Sequence, residues 1–194
     1  MSTRRYRLHH ANAFAAIIVR NDDSRLLSRL GHDHVVRADE FTSTVTIDPG
    51  RPEELRFALS FPVYAFVVDD KDDRKRVGLK GKVSKKDRKA TRKNMLAKDQ
   101  LHAERYGNID FRVDGARAAD DDSTWILDAS MSVRHRRFEF EFPVSIEFSP
   151  QLQVSGRVDI THSDLGLTPY KGPMGTLRNA EEMTLVIEID ASPL

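Results

Sequence analysis

The chain has 194 residues and 22.1 kDa, one medium domain or at most two very small ones, and 39% hydrophobic content at a mean hydropathy of −0.51 fits a globular chain with no stretch near the roughly 20 apolar residues of a membrane span. The absence of cysteine excludes disulfide frameworks, thiolate metal sites and cysteine nucleophiles. Lys plus Arg number 31 against 30 Asp plus Glu, so the net charge of +1 gives no reason, taken whole, to expect a nucleic-acid partner.

At the N-terminus Arg4, Arg5 and Arg7 precede the apolar run 13–19, in imitation of a signal peptide. The run is short and continues into Arg20-Asn21-Asp22-Asp23, with no small-residue cleavage site, so it reads as a buried first strand and the cytoplasm as the default compartment. Phe41, Ser43, Val45 and Ile47 predict a strand closed by the turn Asp48-Pro49-Gly50, and Leu55, Phe57, Leu59 and Phe61 predict the next. Residues 83–101 lack alternation. There Ser84 followed by Asp87 resembles a capping box, and the good helix formers of 85–98 predict a surface helix of about three turns. Its thin apolar stripe, Ala90, Met95, Leu96 and Leu101, suits a helix that caps an opening or lies across a barrel.

Period two then returns in Trp125, Leu127, Ala129, Met131 and Val133; in Phe138, Phe140, Phe142, Val144, Ile146 and Phe148; in Leu152, Val154, Val158 and Ile160, with a slip of the alternation expected near Gly156; and in Met183, Leu185, Ile187 and Ile189. Alternation with one wet face marks antiparallel strands. A sandwich and a closed barrel both suit such a chain. The short links between 125–133, 138–148 and 152–160 and the length of those strands favour the barrel, with one domain over 1–194.

Three features bear on function. Gly31-His32-Asp33-His34 at a strand entry would place two imidazoles on one face about 6 to 7 Å apart. They read as structural histidines, as ligand-head contacts, or as half of a metal site completed by His162, His135, His102 or a carboxylate; no metal or other cofactor is expected. The apolar faces are either a packed core or the wall of a pocket, which eight or so long strands can enclose. Finally, residues 71–98 hold 13 basic and three acidic residues, a local +10, while the rest of the chain holds 18 basic and 27 acidic residues, or −9. Such a segment is a solvated helix face, or it attracts phosphate, an anionic lipid head or an acidic partner. Nucleic acid is disfavoured, because aromatics for base stacking are not interleaved with the charge. No nucleophile elbow, His-Glu-x-x-His, phosphate-cradling glycine loop or paired-carboxylate motif is present, so no catalytic residue is assigned.

Four stretches follow one another along the chain: Gly31-His32-Asp33-His34 leading to Phe41 and Asp48-Pro49; a helix-bearing insertion ending in Met95-Leu96 and Leu101-His102-Ala103-Glu104-Arg105-Tyr106; Ile109-Asp110-Phe111-Arg112; and Asp164-Leu165-Gly166-Leu167-Thr168-Pro169-Tyr170. In this order they resemble the YceI-like family of polyisoprenoid-binding, lipocalin-like proteins over roughly 13–190, the third being similar to the family's Tyr-Pro-x-Ile-x-Phe and the fourth to its Asp-Phe-Gly-Ile-x-Pro. Gly107-Asn108 stands where the family has Tyr-Pro-x, and Leu165 and Leu167 stand for Phe and Ile. The resemblance implies an all-β, antiparallel, eight-stranded lipocalin-like barrel with one helix-bearing insertion, about 71–101, and an interior channel for an isoprenoid or fatty-acid or fatty-amide lipid. It also implies a binder rather than an enzyme, and a homodimer.

The expected lining is Phe57, Leu59, Phe61, Trp125, Leu127, Phe138, Phe140, Phe142, Val154 and Ile160. The expected head-group contacts are His32, His34, His162 and Asp164, with Lys85, Arg88 and Arg92 for a phosphate. At roughly 0.8 kcal/mol per buried methylene, a ten-carbon chain gains several kcal/mol in such a channel. The alternative is a packed, stress-related scaffold whose 71–98 segment docks an acidic partner or makes peripheral membrane contact.

Overall fold

The computed structural model describes residues 4–22, 24, 31–48, 51–121, 123–148, 151–172 and 177–193. Its strands, in chain order, are Arg4–His9 (β1), Ala13–Asn21 (β2), His34–Arg37 (β3), Thr42–Ile47 (β4), Phe57–Pro62 (β5), Val67–Val68 (β6), Asn108–Ala118 (β7), Thr124–Val133 (β8), Arg136–Phe148 (β9), Leu152–Thr161 (β10) and Asn179–Ala191 (β11). Two helices, Lys71–Arg76 (α1) and Lys85–Leu96 (α2), lie between β6 and β7. Neither is long and apolar enough to cross a membrane.

Among the described residues, nine strands form one antiparallel sheet in the order β5-β7-β8-β9-β10-β11-β2-β3-β6, and β1 pairs with β4 in a second sheet. The edge strands β5 and β6 are joined by only four residues, which span at most about 14 Å, so the sheet curls back on itself as a lipocalin-like barrel. The small sheet covers the remaining gap. Ser43 Oγ donates to the Ala58 carbonyl of β5 at 3.2 Å, and the Arg7 N–H donates to the Ser192 carbonyl just past β11 at 3.3 Å. Tyr6, Leu8, Val45 and Ile47 of the small sheet share one core with Phe111, Leu127, Phe142 and Leu152 of the large one.

The sheet has nine strands rather than eight. β6, at two residues, is too short to show any period. The run 13–19 is a buried strand, but the second in order: β1 precedes it, with Tyr6 and Leu8 buried and Arg5 and Arg7 exposed. Its apolar continuity has a direct cause, because both faces of β2 are covered. Ile17 and Val19 pack against the barrel core, whereas Phe14, Ala16 and Ile18 pack outside it with Val35, Val186, Val77 and Leu79. Pro49 and Gly50, the turn expected after β4, lie outside the described residues.

The insertion carries two helices, not one. α1 is only six residues, and its Asp70 cap, accepting from the Asp72 N–H, sits in a charged run without an apolar stripe. α2 matches its sequence signature, with Ser84 accepting from the Asp87 N–H at 3.1 Å. Near Gly156 the register does not slip: β10 pairs with β11 without interruption from Leu152 to Thr161. What ends there is the β9–β10 ladder, at Gly156 opposite Val144. The neighbouring Pro143 has no N–H to continue it.

Candidate ligand-binding cavity

Inside the barrel the two ends differ. Toward the β1–β4 end, Phe57, Leu59, Leu127, Val144 and Val154 close around a void of only about 30 Å³. Toward α2 lies a cavity of about 230 Å³ with mostly apolar walls: Ile17 and Val19 of β2, Val36 of β3, Phe61 of β5, Phe111 of β7, Met131 and Val133 of β8, and Met183, Leu185 and Ile187 of β11. α2 forms one side of it through Thr91, Asn94 and Met95. These positions fall on one helical face by the 3.6-residue repeat. Thr91, Asn94, Gln100, Tyr170 and Asn179 are its partly exposed polar lining and define its rim. Gln100 Nε2 ties the end of α2 to the Thr168 carbonyl at 3.0 Å.

Two histidines border this apolar space, and each is fixed through Nδ1. His34 Nδ1 lies 2.6 Å from Asp69 Oδ2. Asp69 has a fully buried side chain and accepts from Arg74 Nη1 at 2.8 Å and from the Val35 N–H at 3.1 Å. Burial pushes this carboxyl up, but the bonds from His34, the Val35 amide and Arg74 outweigh it and hold Asp69 below the ordinary carboxylate range. An ionised Asp69 makes Nδ1 the protonated nitrogen of His34. His162, 4% exposed, donates Nδ1–H to the Glu181 carbonyl at 3.0 Å. The Glu181 carboxylate in turn accepts from the Ser163 hydroxyl and N–H, which hold it below its usual range. Both rings therefore keep Nε2 without a partner among the described residues. Nε2 accepts from a ligand hydroxyl when the ring is neutral and donates to an anion when it is charged.

Among the expected lining residues, Phe61 borders the larger cavity, and Phe57, Leu59, Leu127 and Val154 border the small void. Phe142 and Ile160 are buried in the shared core, and Trp125, Phe138 and Phe140 pack against it while partly exposed. Among the expected head-group residues, His34 and His162 meet at the cavity. His32 is exposed, because β3 begins only at His34 and the two-residue repeat does not reach back to it. Asp164 closes the turn that carries His162, accepting from the Thr161 N–H at 2.8 Å. Lys85 is exposed, while Arg88 and Arg92 donate to the carbonyls of Asp69 and Tyr64. Among the described residues no three His, Asp or Glu side chains converge as a metal site requires.

Sequence reasoning missed Asp69 and Arg74. Their partner His34 is 35 residues from Asp69, a separation that no local spacing reports. It also missed the β2, β3 and β11 walls, although the alternation of Met183, Leu185 and Ile187 carried the signal.

Solved structures share this architecture. BcnA of Burkholderia cenocepacia matches at 13% identity with a TM-score of 0.69, over 95% of this chain and 99% of that one. A polyisoprenoid binding domain from Saccharophagus degradans, implicated in plant cell wall breakdown, matches at 10% identity and 0.61 over the whole of both chains. The YCEI protein of Campylobacter jejuni matches at 10% and 0.56, over 82% of this chain and 84% of that one. The chain has the YceI-like fold. No family model and no curated protein matches the sequence. At 10–13% identity the YceI-like likeness is one of architecture.

Proposed function

We propose that the barrel binds, without catalysis, a lipid with an apolar chain of the isoprenoid or fatty-acyl class, its chain in the α2-side cavity and its polar head at His34 and His162. The observation that carries this reading is the cavity itself, an apolar space of about 230 Å³ bordered by two histidines that are each anchored through Nδ1. A structural relative described as a polyisoprenoid binding domain supports the ligand class. The volume lies slightly below the roughly 300–1,000 Å³ of most small-molecule sites. A short chain, or the end of a long one, fits.

Organic extraction of purified protein followed by mass spectrometry tests the reading, together with titration of fatty acids and alcohols of increasing length. A co-purifying lipid and a chain-length-dependent affinity are expected. Ala15→Phe, which fills the cavity from β2, should weaken uptake about tenfold or more while the protein stays folded. A clean extract combined with length-independent titration sinks the proposal.

A further inference from the structure

The 71–98 segment divides its charges by residue type. Its arginines are each engaged: Arg74 is buried on Asp69, the exposed Arg76 pairs with Glu188 at 2.7 Å, and Arg88 and Arg92 donate to backbone carbonyls. Its nine lysines, from Lys71 to Lys98, are all exposed and have no ion pair among the described residues. On α2 this division is also geometric. Thr91, Asn94 and Met95 face the cavity, and at 100° per residue Lys85, Lys86, Lys89 and Lys93 fall on the opposite side. The helix has no buried residue. Beside it, where Arg92 holds the Tyr64 carbonyl, Tyr64 is the exposed large apolar side chain of the described surface, at 53%.

We infer that the outward lysine face of α2, with Tyr64 beside it, seats the barrel on an anionic lipid surface and brings the cavity rim within about one helix diameter of the head groups. A surface of free ammonium groups fits a negatively charged leaflet, and a half-exposed tyrosine is the side chain that settles at the water–lipid boundary. The charge of −9 on the rest of the chain repels the same surface, so only one orientation is favoured. A lipid bilayer is chosen over nucleic acid because the surface has a single bordering aromatic, Tyr64, and residues 71–98 interleave none with their charges on which successive bases could stack. It is chosen over an acidic protein because the cationic helix is also the wall of an apolar cavity. The inference rests on the proposed apolar ligand for its purpose, but not for its test.

Full-length protein is sedimented with phosphatidylcholine vesicles with and without phosphatidylserine, at low and high salt, while uptake of a fluorescent fatty acid is read separately without vesicles. Docking is expected only on the anionic vesicles, falling about tenfold or more as salt rises. The variant Lys86→Gln, Lys89→Gln, Lys93→Gln should lose about tenfold in vesicle binding while its thermal midpoint and its vesicle-free uptake stay unchanged. Tyr64→Ala should weaken the binding that survives high salt. Equal binding to neutral and anionic vesicles, an unaffected lysine variant, or the same lysines holding an acidic peptide or duplex DNA while vesicles are ignored each overturns the inference. Failed fatty-acid uptake with intact docking would overturn the proposed ligand instead.

Discussion

Asp69 concentrates the local constraints of the site. It sits at a positive φ of 52°, a region where Asp and Asn are the tolerated non-glycine residues, and its side chain is fully buried between His34, Arg74 and the Val35 amide. Arg74 also donates to the carbonyls of Asp33 and Lys80, so one carboxylate locks β3 to α1 and the loop after it. Asp69→Asn keeps the backbone geometry but removes the charge, leaving a buried guanidinium without its counter-ion. Loss of a buried partner of this kind costs about 3–5 kcal/mol, which urea unfolding would read. The pH dependence has a definite sign. Because the folded-state pKa is depressed, the contribution is complete above the unfolded value of about 3.9 and is lost as pH falls through the folded value. Wild-type stability should therefore drop more steeply than that of Asp69→Asn below about pH 4; parallel curves there would show that the charge contributes nothing.

Among the elements, the long strands were the most legible from sequence and the short ones the least. β8, β9 and β10 show period two over ten or more residues because one face of each meets the core and the other meets water. β6 and α1 have no such record, and β1 carries its apolar Tyr6 and Leu8 among arginines that imitate the basic start of a leader. The cavity was legible in part. Alternation marks the inward face of β5, Phe57, Leu59 and Phe61, but not the height at which that face stops being packed, since this depends on side chains from the facing strands. Gly156 was conspicuous in sequence, and its reason is spatial: a Cβ there would lie 2.5 Å from the Pro143 carbonyl oxygen and 2.7 Å from Val144 Cγ1. The carbonyl is backbone, so Gly156→Ala must push β9 and β10 apart where their ladder ends. A loss of about 1–3 kcal/mol in chemical denaturation is expected; an unchanged midpoint would mean that the strands are free to separate there. At α2, Ser84→Ala removes the cap on the Asp87 N–H and should cost about 1 kcal/mol, read as a small loss of helical circular dichroism and of thermal midpoint.

For the whole molecule, the near-neutral net charge conceals a segregation that follows the fold. The excess of positive charge lies on the helical insertion that flanks the cavity, and the excess of negative charge on the rest of the chain. The interior is likewise divided, with a cavity of about 230 Å³ at the α2 end and a void of about 30 Å³ at the other. The insertion and the barrel wall meet at that cavity, so a ligand there stabilises both together. At a free ligand concentration one hundred times its dissociation constant, the gain is about 2.7 kcal/mol. A chain of this size shifts by roughly 2–4 °C per kcal/mol, so the thermal midpoint should rise by about 5–10 °C. The dependence on chain length carries the structural information. At equal free concentration the rise should grow with each carbon, because each methylene removed from water contributes about 0.8 kcal/mol, and then level off at the length that fills the cavity, where further methylenes stay at the rim. A shift that keeps growing with no plateau would require the packed end to open and would sink the division of the barrel into an open and a closed half, whereas a shift independent of length would leave the cavity without a role in binding.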